Sequence, residues 1–532
     1  MPDSPRIFIS GYYGYANPGD EAILSVLLAE LRGRLPSPAI SVISGSPDET
    51  ERSHGVRAVL WSDPLAIAGA VRDADLVITG GGGIFHDYGG LSEGGLLTEG
   101  NWGIGFHVTA GLLAALFSKP HVIYAAGVGP LFSDTARRYT RAVCETASAI
   151  TVRDEGSRRL LEDIGVSPAA IRVTADPGFL FRPAPIPAGI SVDSLTTGVA
   201  IRHWNHDADP EQWEAECAGG LDAFLEHRPG QVLFLPFQQF PGEQEDDLAV
   251  AVRVRNRMRH AGRAHIIEGA CTPAEKAAIL GSCGLVVGMR LHSLIFSLNA
   301  RVPLVALIYD EKVRQFVHRA GLDGFGIALS DLRAPLLAAR MEEASRSTPV
   351  DPAPFIALAR ENTTAVLDVL RRGSEAVPSL RGEALELTRS AVFSLLAAQK
   401  QLRSWLSDQK TNYEYRIRIQ GEQIEASAAE FFDTKSALEA RLGALQQRVS
   451  IIEASLDDWR AYGDEMQRRL EVYRRQRAWR AMLAIRKAYT LLGCQGWSGR
   501  LRFFPWLFSL VRGRGNIEGE QLEFPLRPKP RE

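Results

Sequence analysis

Cysteine is scarce in this sequence, with five residues among 532. The five are scattered and none stands in a C-x-x-C pair, which excludes a zinc ribbon and a disulfide framework and indicates a reducing compartment. The net charge is only −3, so we expect no nucleic-acid partner. The chain has no run of eighteen apolar residues and does not begin with a basic segment followed by an apolar one, so we predict neither a spanning helix nor a signal peptide. Together these absences predict a cytoplasmic protein without a metal site.

The sequence does contain a regular alternation of short apolar runs and amphipathic stretches. This rhythm predicts doubly wound α/β domains, each a parallel sheet with helices on both faces. A proline-rich stretch at Phe181–Ala188 interrupts the rhythm, so we predict two Rossmann-like domains, at residues 1–185 and 186–372, with the ligand in the cleft between them. The expected strands are Arg6–Ser10, Ile40–Ser44, Asp75–Thr79, His121–Ala125, Ala149–Val152, Gly198–Arg202, Gln231–Leu235, Ala264–Glu268, Gly284–Val287 and Pro303–Leu307.

Past residue 372 the composition changes. Apolar residues at alternating steps of three and four run from Leu442 to Tyr473, which predicts a coiled coil within residues 373–475 and hence a homo-oligomer; one long helix packed on the globular part is the alternative. Residues 474–517 hold ten Arg or Lys, no acidic residue and several aromatic residues. We therefore expect the tail, residues 476–532, to attach the protein peripherally to the anionic inner face of a membrane. An acidic partner protein, or folding back on the globular domains, is the alternative for this segment.

Two segments near the N-terminus are rich in glycine. The first predicted strand ends in the loop Gly11–Glu21, where Asp20 fits either a helix N-cap or an acid that faces the cleft. A later strand is followed by four glycines that include Gly81 and Gly82. A loop without side chains at this place lets a ligand or the other domain approach the backbone closely, and a flexible turn is the alternative.

Basic side chains follow several of the predicted strands. Arg290 and His292 stand at a predicted helix N-terminus, which is a poor place for a cation unless an anion joins it. For each basic residue alone, a structural salt bridge is an equally good interpretation. Their accumulation at strand ends nevertheless indicates a site for an anionic ligand. The residues concerned are Arg153, Arg202, Arg290, His292 and Lys312.

Six segments follow one another between residues 6 and 320: GYYGYANPGDEAIL, ITGGGGIFHD, YAAGVGP, TVRDEGSRRLLEDIGV, TADPGF and GMRLHSLIFSLNARVPLVAL. In this order they resemble the polysaccharide pyruvyl transferase family. The resemblance implies a fold similar to that of two-domain glycosyltransferases of the GT-B type, with phosphoenolpyruvate as co-substrate and no further cofactor. It also implies the reaction, in which the enolpyruvyl unit is moved onto two hydroxyls of a sugar in a bacterial cell-surface polysaccharide and forms a pyruvate ketal.

The resemblance assigns roles to individual residues. Positions that the family uses are matched by Asp20, Arg153, Arg290, His292 and Lys312, and Arg202 is a looser match. The implied catalytic residues are Asp20, which would activate an acceptor hydroxyl, His292, which would assist the departing phosphate, and Arg153. The implied donor-binding residues are Arg290, Arg202, Lys312, Gly81 and Gly82.

Two other functions stay open. A glycosyltransferase of the GT-B type that uses a nucleotide sugar would share the fold, and Asp310 or Glu311 could then hold the ribose. A coiled-coil scaffold for glycan assembly would bind no donor at all. The acceptor sugar and its hydroxyl pair do not follow from the sequence, and the acceptor glycan could be free or lipid-linked.

Overall fold

The computed structural model describes residues 4–88, 103–206, 208–239, 246–378, 384–387, 409–410, 412–413 and 440–451. Within them, two parallel sheets follow each other along the chain. The first has the strand order β3-β2-β1-β4-β5-β6-β7 and the second the order β10-β9-β8-β11-β12-β13. The strands are β1 Arg6–Ser10, β2 Ala39–Ser44, β3 Arg57–Leu60, β4 Leu76–Phe85, β5 His121–Val128, β6 Ala149–Val152, β7 Ile171–Val173, β8 Thr196–Ala200, β9 Gln231–Phe234, β10 Ala264–Ile266, β11 Leu285–Gly288, β12 Leu304–Ile308 and β13 Gly326–Ala328.

Helices cover the faces of both sheets. Most connect one parallel strand to the next, as parallel pairing requires. Their bounds are α1 Pro18–Arg34, α2 Pro47–His54, α3 Pro64–Asp73, α4 Ile104–Leu116, α5 Asp134–Glu145, α6 Glu155–Asp163, α7 Pro210–Glu226, α8 Asp247–Arg257, α9 Pro273–Ser282, α10 Leu291–Asn299, α11 Glu311–Arg319, α12 Ala334–Arg346 and α13 Ala353–Arg372.

Alternation along the strands sends side chains to opposite faces of each sheet. In β1, Phe8 packs into a core with residues of α3, α4 and α5, whereas Ile7 and Ile9 pack into a core on the other face, with α1. Helix α13 follows the second sheet in sequence, yet Val366 and Val369 belong to this same α1 core of the first sheet. The chain thus crosses back to the first domain after the second sheet.

The prediction of two parallel α/β sheets with helices is confirmed, and three strands are added that the sequence pattern had not revealed: β3, β7 and β13. One prediction was wrong in detail. The four glycines, Gly80–Gly83, do not form a loop after a strand, because β4 continues through them to Phe85. Gly80, Gly81 and Gly82 have φ values of 148°, 87° and 85°, a backbone that residues with side chains rarely adopt, so the strand can bend there without ending.

The N-cap alternative for Asp20 is also wrong. Asn17 caps α1, and its side chain accepts a hydrogen bond from the Gly19 amide, while Asp20 is the third residue of the helix. Of the predicted coiled coil, the described part is residues 440–451, which are helical. The rest of the seam, and the basic tail, lie outside the described residues. Among the helices that are described, no segment is long and apolar enough to cross a membrane.

Candidate functional site

The predicted site residues meet in the cleft, at the carboxyl ends of strands from both sheets. From the first domain come Asp20, in the first turn of α1, and Arg153, directly after β6. From the second domain come Arg202, which lies two residues after β8, and Arg290 and His292, at the start of α10, with Lys312 in the first turn of α11. The placement agrees with the rule that ligands of open parallel sheets bind beyond the carboxyl ends of the strands.

Asp20 is the buried acid of the site. Its side chain lies against β4, where a Cβ on Gly82 would come within 2.3 Å of the carboxylate oxygen Oδ1. Gly81 likewise makes room for Ile23 of α1. The space that these glycines leave therefore lets α1 approach the strand and bring Asp20 up to it. Burial raises the pKa of Asp20 to about 7, and nearby His292 and Arg153 oppose this rise. Within the described residues its carboxylate accepts no hydrogen bond.

His292 reaches across the cleft to the first domain. Its ring packs on Gly19, so closely that a Cβ on Gly19 would lie 2.0 Å from Nδ1. Its Nε2 lies 3.4 Å from Oδ1 of Asp176, a distance suited to an ion pair but not to a hydrogen bond in this alignment. His292 thus lies near Asp20, and its buried Nε2 faces the carboxylate of Asp176.

Asp176, a residue to which the sequence analysis gave no role, connects His292 to Arg153. The Arg153 Nη1 donates to Oδ2 of Asp176 at 3.0 Å, and both side chains are buried. Burial raises the pKa of Asp176, but His292 and Arg153 outweigh it and hold that pKa well below its usual range. In the sequence, Asp176 precedes Pro177 and Gly178 and looks like an ordinary turn residue. It does cap that turn, because its Oδ1 accepts a hydrogen bond from the Gly178 amide.

The contact between His292 and Gly19 gives a sharp test. In Gly19→Ala the new methyl group would overlap the imidazole, so His292 must move away from Asp20 and Asp176. We expect kcat, measured at saturating substrate, to fall by about 100-fold, the scale on which misplaced catalytic groups act. Gly33→Ala is the matched control, because Gly33 lies in the same helix with open space around it. Full turnover in Gly19→Ala would show that the position of His292 is not needed.

Arg290 is satisfied by an internal anion. Its Nε and Nη2 donate to Oδ2 and Oδ1 of Asp247 at 3.0 and 2.6 Å, a forked pair with a carboxylate that is 0% exposed. Asp247 also accepts from the backbone amides of Phe237 and Gln238. The anion that we expected at the start of α10 is therefore already present in the protein. On the other edge of the guanidinium, Nη1 donates to Gln238 Oε1 at 3.3 Å, its one hydrogen bond to the part of the chain that the structure describes.

Arg202 and Lys312 flank the ring of Tyr309. The Arg202 guanidinium carbon and the Lys312 ammonium nitrogen each lie 5.4 Å from the ring centroid. Lys312 pairs with Asp310 at 3.1 Å, whereas Arg202 has no carboxylate partner within the described residues and donates only to the His203 carbonyl. Burial raises the pKa of Tyr309, but Lys312, Arg202 and Arg290 outweigh it and lower that pKa overall. The electrostatic field at this end of the cleft is thus strongly positive.

The positive field extends to the first domain. Burial and Lys312 together lower the pKa of His86 to about 4. Tyr88 closes this side, because its hydroxyl donates to the Asp310 carboxylate across the cleft. Asp310, which could hold a ribose in the nucleotide-sugar hypothesis, is thereby engaged by Tyr88 and Lys312. Glu311 is exposed and binds Gln315 and Arg314 of its own helix.

The comparisons with known proteins point to one family. The chain is 24% identical over 225 residues to the amylovoran biosynthesis protein AmsJ of Erwinia amylovora, which is 40% of this chain and 54% of that protein, so the match spans about half the length of this relative. The chain also has a low similarity to solved structures of UDP-N-acetylglucosamine 2-epimerases. The putative epimerase from Listeria monocytogenes has 13% identity, and the match covers 69% of this chain and 97% of that protein, with a TM-score of 0.48. The enzyme from Methanocaldococcus jannaschii has 11% identity, covers 68% and 99%, and gives a TM-score of 0.45. These structural similarities are too weak to bear on function.

The sequence profile described as polysaccharide pyruvyl transferase matches residues 17–311, more than half of the chain. The matched range begins at the N-cap of α1 and ends at the first residue of α11, so it contains Asp20, Arg153, Arg202, Arg290 and His292. The chain belongs to the polysaccharide pyruvyl transferase family.

Proposed function

We propose that this protein transfers the enolpyruvyl unit of phosphoenolpyruvate onto two hydroxyls of a sugar in a bacterial surface polysaccharide, forming a pyruvate ketal. The observation that carries the proposal is the pair of cations around Tyr309, of which Arg202 has no carboxylate partner within the described residues. Phosphoenolpyruvate carries a phosphate and a carboxylate, and taking both out of water requires fixed cations with unused donors. Arg202, Lys312 and the Nη1 edge of Arg290, which within the described residues bonds only to the neutral Gln238, supply them.

The reaction needs both an acid and a base. One sugar hydroxyl adds to the central carbon of the donor while the methylene carbon gains a proton, then the second hydroxyl adds to the same carbon as the phosphate leaves. Of the two hydroxyl protons, one ends on the methyl carbon and the other on the phosphate. Asp20, with a pKa near neutrality, is suited to accept a hydroxyl proton. His292 is suited to protonate or stabilise the departing phosphate, with Asp176 behind its ring.

Arg153 has a positioning role in this proposal. Its guanidinium packs against Gly127, where a Cβ would lie 2.6 Å from Nη2, and it pairs with Asp176. The Arg319 guanidinium of α11 donates to the Arg153 carbonyl, so a residue that follows the second sheet's strand β12 holds the residue directly after β6. Arg153 thereby keeps Asp176, and through it His292, in place beside Asp20.

A binding and transfer experiment tests the function. The full chain is titrated calorimetrically with phosphoenolpyruvate and, separately, with UDP-glucose and GDP-mannose, and transfer to a panel of sugar glycosides is followed by mass spectrometry. We expect phosphoenolpyruvate to bind, and we expect the acceptor glycoside to gain the mass of one pyruvate ketal group. Binding and transfer of a nucleotide sugar, with none for phosphoenolpyruvate, would favour the glycosyltransferase instead. A chain that binds none of these donors would favour the scaffold function.

Arg202→Gln tests the donor site specifically. A charge-assisted contact contributes roughly 1.5–3 kcal/mol, so we expect the Kd for phosphoenolpyruvate to rise by about 10- to 100-fold. Stability should change little, because Arg202 leaves no carboxylate behind within the described residues. Arg57→Gln is the matched control, since Arg57 is an exposed arginine on β3, at the far edge of the first sheet. An unchanged Kd in Arg202→Gln would remove this residue from the donor site.

The partners beyond the donor remain predictions of the sequence. These are the lipid linkage of the acceptor, membrane attachment through residues 476–532 and homo-oligomerisation through the coiled coil. The proposed reaction does not depend on them, because its residues all lie between positions 20 and 312.

A further inference from the structure

Phe132 is the most exposed large apolar side chain of the described residues, at 70%. Its backbone is nevertheless held firmly. The buried carboxylate of Asp87 accepts hydrogen bonds from the Phe132 amide at 2.7 Å, the Ser133 amide at 2.8 Å and the Ser133 hydroxyl at 2.7 Å. The Phe132 ring is therefore presented to solvent from a backbone that is fixed in place, which makes it available to an apolar ligand surface.

Phe132 is one end of an aromatic ledge, which we define as Phe132, Tyr88, Trp204 and His206. The Tyr88 ring meets Phe132 edge-on at 6.2 Å, meets Trp204 edge-on at 6.4 Å and stacks with His206 at 6.4 Å. Tyr88 is 38% exposed, whereas Trp204 is buried beneath it. Phe132 and Tyr88 come from the first domain and the other two from the second, so the ledge spans the mouth of the cleft.

The ledge is physically joined to the donor site. The Tyr88 hydroxyl donates to the Asp310 carboxylate, and the same carboxylate pairs with the Lys312 ammonium. Trp204 packs edge-on against Tyr309 at 4.7 Å, with the Arg202 guanidinium 5.7 Å from the Trp204 ring. A ligand lying on the ledge would therefore be adjacent to a donor held by Arg202 and Lys312.

We propose that the aromatic ledge is the acceptor subsite and binds the C–H face of a pyranose ring of the acceptor glycan. The proposal rests on the proposed function for the identity of the donor, but its own basis is the ledge. A pyranose is apolar on one face and polar at its rim, so it fits against aromatic rings that have polar groups around them. The His206 ring and the Tyr88 hydroxyl provide that polar rim. A sugar stacked there presents its hydroxyls toward the cleft, where the ketal would form.

The test is saturation-transfer NMR on the full-length protein. The probes are methyl β-D-galactopyranoside, methyl β-D-glucopyranoside and methyl α-D-mannopyranoside. With the wild-type protein we expect transfer concentrated on the C–H protons of one face of at least one sugar. In Phe132→Ala the Kd for that sugar should rise by roughly 10-fold, because a stacked ring is lost. Phe132→Trp should retain binding. Leu195→Ala is the control, since Leu195 is an apolar side chain 54% exposed on the second domain.

The outcomes separate this proposal from the donor assignment. Phosphoenolpyruvate affinity should be the same in Phe132→Ala and wild type. If the sugars bind in a Phe132-dependent way but phosphoenolpyruvate does not bind at all, the ledge stands and the donor assignment fails. If no sugar of the panel receives saturation from the wild-type protein, or if Phe132→Ala binds the sugar equally well, the ledge proposal is overturned. A change of sedimentation coefficient in Phe132→Ala with unchanged sugar binding would identify the ledge as a protein interface instead.

Discussion

Asp20→Asn should inactivate the protein and stabilise it at the same time. If Asp20 accepts the hydroxyl proton, its replacement should lower kcat by about 1,000-fold, within the range that a positioned base supplies. Affinity for phosphoenolpyruvate should stay nearly unchanged, because the donor cations belong to the other domain. No hydrogen bond is lost, since within the described residues the Asp20 carboxylate accepts none. The variant is thus expected to fold, bind the donor and turn it over very slowly.

The pH dependence of activity follows from the same carboxyl. Burial raises the pKa of Asp20 to about 7, so the carboxylate needed as a base forms only as the pH passes through that value. We expect wild-type kcat to rise with pH up to about 7 and then to level off. The slow residual turnover of Asp20→Asn should lack this rise. The measurement is phosphate release from phosphoenolpyruvate between pH 5 and 9, with the acceptor held at saturation.

Above neutral pH, the ionised form of Asp20 that would support activity lowers the stability of the fold. The pKa of Asp20 is higher in the folded state than in the unfolded state, so the folded state keeps the proton up to a higher pH. The stability that protonated Asp20 contributes is therefore complete below pH 3.8 and is lost as the pH rises through about 7. The shift corresponds to an upper bound of roughly 4 kcal/mol. Asp20→Asn removes this loss, so its free energy of unfolding should exceed that of wild type at pH 8 and match it at pH 4.

Urea unfolding at the two pH values measures this difference. Asp134→Asn provides the control, because Asp134 is an exposed carboxylate in the first turn of α5 and should change neither kcat nor the pH dependence of stability. If Asp20→Asn is less stable than wild type at pH 8 and fully active, Asp20 stabilises helix α1 and takes no part in the reaction.

The general form of the fold was predictable because burial on both faces makes parallel strands into apolar runs. β1 and β6 have the predicted bounds, Arg6–Ser10 and Ala149–Val152. The short edge strands β7 and β13 have three residues each, too few to produce a readable pattern. The extension of β4 through Gly80–Gly83 was not predictable either, because glycine normally weakens a strand and here it is required by the close approach of α1.

The sequence predicted which basic residues at strand ends belong to the candidate site. It did not predict the carboxylates with which they form ion pairs. Asp176 and Asp247 are far from their partners in sequence, and each stands where a carboxylate has an ordinary local explanation. Asp176 caps a turn, and Asp247 begins α8. Only the tertiary structure shows that one holds Arg153 near His292 and the other holds Arg290. Tyr88 and Phe132 were missed for a related reason, since nothing local distinguishes an aromatic ring at the cleft from one in the core.

Arg290→Ala should produce the largest loss of stability. The change leaves the Asp247 carboxylate, which is 0% exposed, without the guanidinium that pairs with it and with two backbone amides as its remaining hydrogen-bond donors among the described residues. Breaking a buried ion pair by removing one partner costs about 3–5 kcal/mol in other proteins. We expect a loss of this size in the free energy of unfolding measured with urea at pH 7. Asp247→Asn should be less harmful, because the amide oxygen can still accept from those backbone groups, and the unpaired charge that remains belongs to Arg290, whose side chain is 11% exposed, whereas Asp247 is 0% exposed.

The same variants decide whether Arg290 also binds the donor. If its Nη1 edge contacts phosphoenolpyruvate in place of Gln238, Arg290→Ala should raise the Kd by about 10- to 100-fold. Asp247→Asn, which keeps the arginine but loosens it, should raise the Kd less. The titrations must be done well below the lower melting temperature, so that every variant is folded. The double variant Arg290→Ala, Asp247→Asn measures the coupling, and the stability losses should be clearly less than additive, because the double change removes both charges together. Wild-type donor affinity in Arg290→Ala would make the pair purely structural and leave the anion to Arg202 and Lys312, whose flanking position around Tyr309 does not depend on it.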